Sequence, residues 1–167
     1  MAPKLVLIGP MGAGKTTVGS ELARRLNCNF TDTDQLIEAD QGKSISEIFI
    51  EDGEPHFRLV EESIVIDALL AEEGVLSLGG GAVTNEATLL ALAKNPAKKV
   101  FLDISLSAVS PRVGFDSARP LLMVNPRQKW SELMNQRRPI YESLADITID
   151  VSEQTVDEIT SQIVQSL

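Results

Sequence analysis

The chain has 167 residues, 43% of them hydrophobic and 23% charged, which suits one globular domain, residues 1–167, with a real core. Its formal net charge of −9 excludes the basic field that general nucleic-acid or membrane-surface binding needs, so any anion must be held by local groups. The single cysteine, Cys28, excludes an internal disulfide and a cysteine-rich metal site and is expected to be a buried structural thiol.

The N-terminal "MAPKLVLIGP" has no cleavable signal pattern, and no stretch approaches a membrane span, so a cytoplasmic protein is expected. "KLVLIG" reads as a short apolar strand, and "KTTVGSELARRLN" as an amphipathic helix with Val18, Leu22 and Leu26 on one face. "CNFTDTD" reads as a second strand, whose alternation would point Asp32 and Asp34 the same way. "SISEIFIEDG" is a helix opened by a Ser44–Glu47 capping box, and a longer helix follows from about Pro55 to Ala71.

"VLSLGGGAV" is a buried strand ending in Gly79, Gly80 and Gly81. A helix near "EATLLALAKN" and a fourth strand, "KKVFLDI", come next. "RVGFDSARPLLMVNP" has neither period and is longer than a simple connection requires, which predicts a mobile loop. The helix through "RQKWSELMNQRRPIYESLA" is expected to be interrupted near Pro139. "DITIDV" alternates cleanly as a fifth strand. The last helix is capped by Thr155 and Glu158, with Val156, Ile159, Ile163, Val164 and Leu167 on its buried face. Strands separated by helices predict an α/β fold with a mainly parallel sheet covered on both sides.

The strongest chemical signal is "GPMGAGKTT", Gly9 to Thr17, which fits G-x-x-x-x-G-K-[ST] between a strand and a helix. Glycines let successive N–H groups wrap a phosphate chain, Lys15 reaches the terminal phosphates, and the Thr16 hydroxyl can ligate magnesium. No N-K-x-D segment is present, which argues against guanine specificity. The apolar strand "VLSL" lacks the acid that often holds magnesium beside such a loop. Asp32 and Asp34 are the candidates for that duty and for receiving a hydroxyl proton, against the plainer reading of two solvated turn residues starting a helix.

Arg58 and Glu61, at i and i+3, are either a surface ion pair or a guanidinium positioned for a carboxylate. His56, the only histidine, reads as a partly exposed helix residue. Five of the eight arginines, Arg112, Arg119, Arg127, Arg137 and Arg138, fall in the irregular stretch and the helix after it. A loop arginine there could neutralise charge on a transferring phosphate.

Taken together, "GPMGAGKTT", "DTD", "GEPHFR", "SLGGGAV", "RPLL" and "RRPIYE" resemble the shikimate kinases in order and rough spacing over nearly the whole chain. The resemblance implies a P-loop kinase fold like that of the nucleoside monophosphate kinases, with a five-stranded parallel sheet flanked by helices. It also implies a substrate-binding helical region at about 33–61 and a lid at about 112–124. The implied reaction phosphorylates the 3-hydroxyl of shikimate with ATP and magnesium, in aromatic amino acid biosynthesis.

By the same resemblance Gly12, Ala13, Gly14, Lys15, Thr16 and Thr17 wrap the ATP phosphates, and Thr16 ligates Mg2+ while Asp32 acts on it through water. Asp34 binds the attacking hydroxyl. Arg58 and Arg137 clamp the substrate carboxylate, Gly80 offers a backbone N–H, Arg119 is the lid arginine, and Arg112 stacks on adenine with Gln154 nearby. The three glycines are expected to leave room for the substrate ring. Lys15, Asp34 and Arg119 are the catalytic candidates. The expected partners are small molecules, with neither nucleic acid nor membrane, and a monomer is expected. A kinase for another polyhydroxy acid such as gluconate, or a non-catalytic ATP-binding metabolite sensor, are the alternatives.

Overall fold

The computed structural model describes residues 3–113 and 125–167. Five strands form one parallel sheet in the order β2-β3-β1-β4-β5: β1 (Pro3–Ile8), β2 (Phe30–Asp32), β3 (Gly74–Ser77), β4 (Lys98–Asp103) and β5 (Ile147–Asp150). The three inner strands have apolar side chains on both faces, as a sheet covered by helices requires, and Leu5, Leu7, Leu76, Val100 and Phe101 are fully buried. The helices are α1 (Lys15–Arg25), α2 (Thr33–Gln41), α3 (Ile45–Glu51), α4 (Glu54–Ala71), α5 (Glu86–Lys94), α6 (Leu106–Val113), α7 (Pro126–Leu144) and α8 (Val156–Gln165). None of the described helices is long and apolar enough to cross a membrane.

Register brings the functional loops level with one another. Ser77 pairs with Leu7 on one side and with Asp32 on the other, so β1, β2 and β3 end together and their following loops share one edge. That is the carboxyl edge, where open parallel sheets bind ligands. The main core lies on both faces of the sheet. A satellite core of Ile37, Ile48 and Phe57, with Phe49 and Ile64 packed against it, holds α2, α3 and α4 together.

Several local expectations are corrected. The strand expected through Asp34 stops at Asp32, whose Oδ1 accepts the Asp34 N–H at 2.9 Å as the N-cap of α2, a helix the sequence reading did not separate. Helix α6, with Pro111 inside it, was likewise not expected. Helix α7 runs through Pro139 without a break. Pro139 and Asn135 both lie on its exposed face, so the carbonyl that loses its intrahelical partner is turned toward water. Cys28 is half-buried at the edge of the core. On α8 only Ile159 and Ile163 of the expected face are fully buried, while Val164, and Leu167 beyond the helix end, are exposed. Both expected capping boxes, at Ser44–Glu47 and Thr155–Glu158, are present.

Candidate active site

The loop after β1 turns into α1 through Gly14, whose φ of +91° would strain a residue with a side chain. This conformation aims the start of α1, with its unsatisfied N–H groups, into a cavity of about 560 Å3. Gly12, Ala13, Gly14, Lys15, Thr16 and Thr17 line it together with Arg112 and Gln154. Lys15 Nζ donates to the carbonyls of Gly9 and Pro10 at 2.8 and 3.0 Å, which hold the ammonium across the loop. Arg119 and the lid expected at about 112–124 lie, from residue 114 onward, outside the described residues.

Asp32 and Asp34 both reach this cavity, though by helix capping rather than strand alternation. Asp32 uses one oxygen for the cap and accepts the Thr16 hydroxyl with the other at 2.7 Å. Asp34 also faces a second cavity, of about 490 Å3, lined by Arg58, Glu61, Glu38, Phe49, Phe57 and Arg137 as well. Burial, reinforced by the charges of Asp32 and Glu61, pushes the Asp34 carboxyl up to about 6, with Lys15 pulling the other way. A group that titrates there can take and return a proton near neutral pH.

The second cavity holds two guanidiniums. Glu61, with only 4% of its side chain exposed, accepts from Arg58 Nη1 at 2.8 Å. A buried partner of this kind fixes the guanidinium far more firmly than a surface pair could. Burial raises the Glu61 pKa against the opposing pull of Arg58. Arg137 is buried beside them, whereas its neighbour Arg138 turns outward to Asp103 at 2.7 Å. Arg127 donates to Ser110 and stays exposed at the surface. His56 is exposed on α4, against Gln41.

The glycines after β3 make room for side chains of the site itself, which the expectation about a substrate ring did not include. A methyl at Gly79 would lie 2.8 Å from Asp34 Oδ1, and one at Gly81 would lie 2.6 Å from Arg58 Nη1 and 2.9 Å from Arg137 Nη2. Among the described residues, the amides of Gly79, Gly80 and Gly81 donate to no backbone carbonyl.

Sequence reasoning gave no site role to Met11 or Glu38. Met11 lines both cavities, and Glu38 lines the second while accepting the Ile45 N–H that ties α2 to α3. Met11 occupies a variable position of the phosphate-loop pattern, so spacing carries no signal for it. Phe49 and Phe57, with ring centroids 4.7 Å apart, read as ordinary helix-face residues because their aromatic wall depends on how α3 packs on α4. Among the described residues, no group of three or more His, Cys, Asp or Glu is placed to hold a metal. The donors that converge by the phosphate loop are oxygens: Thr16, Asp32 and the buried Ser77.

A family model described as shikimate kinase matches residues 11–167. The shikimate kinase of Thermobifida fusca is 47% identical over 165 residues, 99% of this chain and 95% of its own. Among solved structures, a shikimate kinase from Acinetobacter baumannii in complex with shikimate superimposes with a TM-score of 0.93 at 35% identity, covering 99% of this chain and 92% of that one. A gluconokinase from Sinorhizobium meliloti reaches a TM-score of 0.62 at 18% identity over 98% of this chain and 90% of its own, a likeness of fold alone.

Proposed function

The chain belongs to the shikimate kinase family, and from that premise we propose that the γ-phosphoryl of ATP passes to the 3-hydroxyl of shikimate where its two cavities meet, at Asp34. The observation that carries this reading is the double exposure of that one carboxylate, to a phosphate loop on one side and to a carboxylate-binding pair of guanidiniums on the other. ATP phosphates lie along Gly12 to Thr17, with Lys15 on the terminal groups. Arg112 and Gln154 flank the base. Arg58, fixed by Glu61, and Arg137 take the shikimate carboxylate through paired hydrogen bonds, and the Gly80 amide adds a donor. Asp34 orients the attacking hydroxyl and receives its proton. Residues 33–61 serve as the substrate-binding region. The roles of Arg119 as a charge-neutralising lid arginine and of 112–124 as a lid rest on the sequence resemblance.

Thr16, with Asp32 acting through water, would hold Mg2+. Hard oxygen donors in small number suit an ion that keeps several waters and takes phosphate oxygens. When bound, the ion neutralises charge on the phosphates. Transfer of this kind rests on alignment and charge stabilisation more than on covalent work by the protein. A monomer fits this reading, since one chain lines both cavities, and a cytoplasmic location fits its metabolite substrates.

Incubation with ATP, Mg2+ and shikimate, followed by mass spectrometry, should yield phosphorylated shikimate and ADP. A sensor would bind both compounds and form no product, and that outcome would overturn the proposal. Replacing shikimate by gluconate in the same assay should leave ATP unspent.

A further inference from the structure

Helix α7 carries Trp130, Met134, Arg137 and Tyr141 at a spacing that keeps them on one face, and all four are buried. At one end of this stripe Trp130 Nε1 donates to the Met11 carbonyl at 3.0 Å. At the other the Tyr141 hydroxyl donates to the Gly80 carbonyl at 2.5 Å. The two carbonyls belong to backbone segments that touch, since a methyl at Gly80 would lie 3.4 Å from the Met11 nitrogen. Met11 and Gly80 both line both cavities, so together they form part of the wall between them. Neither Trp130 nor Tyr141 lines either cavity. These two hydrogen bonds therefore act on the site through the backbone, and the Tyr141 hydroxyl also bonds the Arg137 side chain.

We propose that Trp130 and Tyr141 are positioning residues that brace this wall from behind and so set the distance between donor phosphate and acceptor hydroxyl. The inference rests on the phosphoryl-transfer reading above. A wall pinned at two carbonyls by one helix moves as a unit, and each substrate contacts it from its own side. Loosening the Trp130 pin leaves each cavity able to fill, since the phosphate-wrapping amides and both guanidiniums are untouched, whereas the Tyr141 hydroxyl also hydrogen-bonds Arg137. What changes is the alignment of the reacting atoms, to which transfer is far more sensitive than binding is. The expected signature is a loss in kcat without a matching change in either KM.

Trp130→Phe and Tyr141→Phe each keep a buried ring; the first deletes one hydrogen bond, the second deletes the bond to Gly80 and the one to Arg137. Each should lower kcat about tenfold, and Trp130→Phe, which frees no guanidinium, should keep both KM values within about twofold of wild type, the pattern of a misalignment well under an ångström. Each should also raise the ratio of ADP formed to phosphorylated shikimate, as water competes with a displaced hydroxyl. Wild-type kcat and product ratio in a folded variant would overturn the inference, as would a rise in one KM at unchanged kcat. If one variant does not fold, the other decides alone by the same two readouts. A wild-type enzyme that forms no phosphorylated shikimate would remove the transfer reading itself, whereas wild-type product with unaltered variants removes only the brace.

Discussion

The two cavities share Asp34 and part of one wall, yet they are built from different materials. The phosphate side is built around one contiguous stretch, Met11 to Val18, and its chemistry is largely that of backbone amides at a helix start. The acceptor side is made largely of side chains gathered from α2, α3, α4 and α7, and α2, α3 and the start of α4 pack around the satellite core of Ile37, Ile48 and Phe57. A backbone cradle recognises a charge pattern common to many nucleotides. A side-chain cradle recognises one shape, and single substitutions alter it.

The boundary residue tests this contrast most severely. Asp34→Asn should reduce turnover by on the order of 10²–10⁴-fold while ATP affinity, measured by calorimetry, changes little. Wild-type turnover in an ADP-release assay would remove Asp34 from its role. The same substitution should stabilise the fold. With its carboxyl raised from the ordinary aspartate value of 3.8 to about 6, the native state binds more protons than the unfolded state between those values. Stability therefore falls as pH rises through that window, and at neutral pH the buried charge costs on the order of 3 kcal/mol. A melting temperature for Asp34→Asn at or below that of wild type at pH 7.5 would contradict this.

Arg58→Ala comes next, weakening shikimate binding by about 10–100-fold, the scale of a charge-assisted hydrogen-bond pair, and leaving ATP binding nearly unchanged. Equal losses in paired titrations would show that the cavities are not separable. The pH profile should report the shared residue again. Below about pH 6, kcat/KM for shikimate should fall about tenfold per unit as Asp34 takes up its proton. A flat profile down to pH 5 would rule that out.

Two glycine substitutions give the smallest and most diagnostic effects. Gly14→Ala forces a side chain into a left-handed conformation and should cost about 1 kcal/mol of stability along with ATP affinity. Gly81 has an ordinary φ of −94°, so Gly81→Ala strains no backbone and instead presses on Arg58 and Arg137. It should raise the KM for shikimate roughly fivefold with an unchanged melting temperature, since only a few tenths to 1 kcal/mol of hydrogen-bond geometry is lost. A loss confined to stability would mean that the glycine is needed for folding only.

The same division governs what could be read from residue order. The phosphate loop was legible because its function needs adjacent residues, and the alternation of strands and helices marked out the parallel sheet. Positions that depend on packing were harder to read. Asp32 ends its strand because its side chain caps the next helix, which the alternating "FTDTD" conceals. Pro139 looks like a helix break until its exposed face is known. Arg137 and Arg138 are chemically equal in sequence, and only the face they occupy on α7 separates the cavity-lining one from the one paired with Asp103. In the acceptor cavity Arg58 and Glu61 were offered by their i, i+3 spacing and Arg137 and Gly80 by family resemblance, whereas Glu38 and Phe49 were not read at all, because no local spacing in the chain brings them to Arg137.

The bond from Trp130 to the Met11 carbonyl also gives the molecule an optical property. The chain has one tryptophan, so its indole emission arises from a single place, and that place is hydrogen-bonded to the partition between donor and acceptor cavities. Entry of ATP from one side and of shikimate from the other should each shift the emission of the same chromophore, as a titration with either substrate would read. The unlabelled protein thus carries its own reporter for occupancy of either cavity, and the order in which the two substrates bind can be read in a stopped-flow trace.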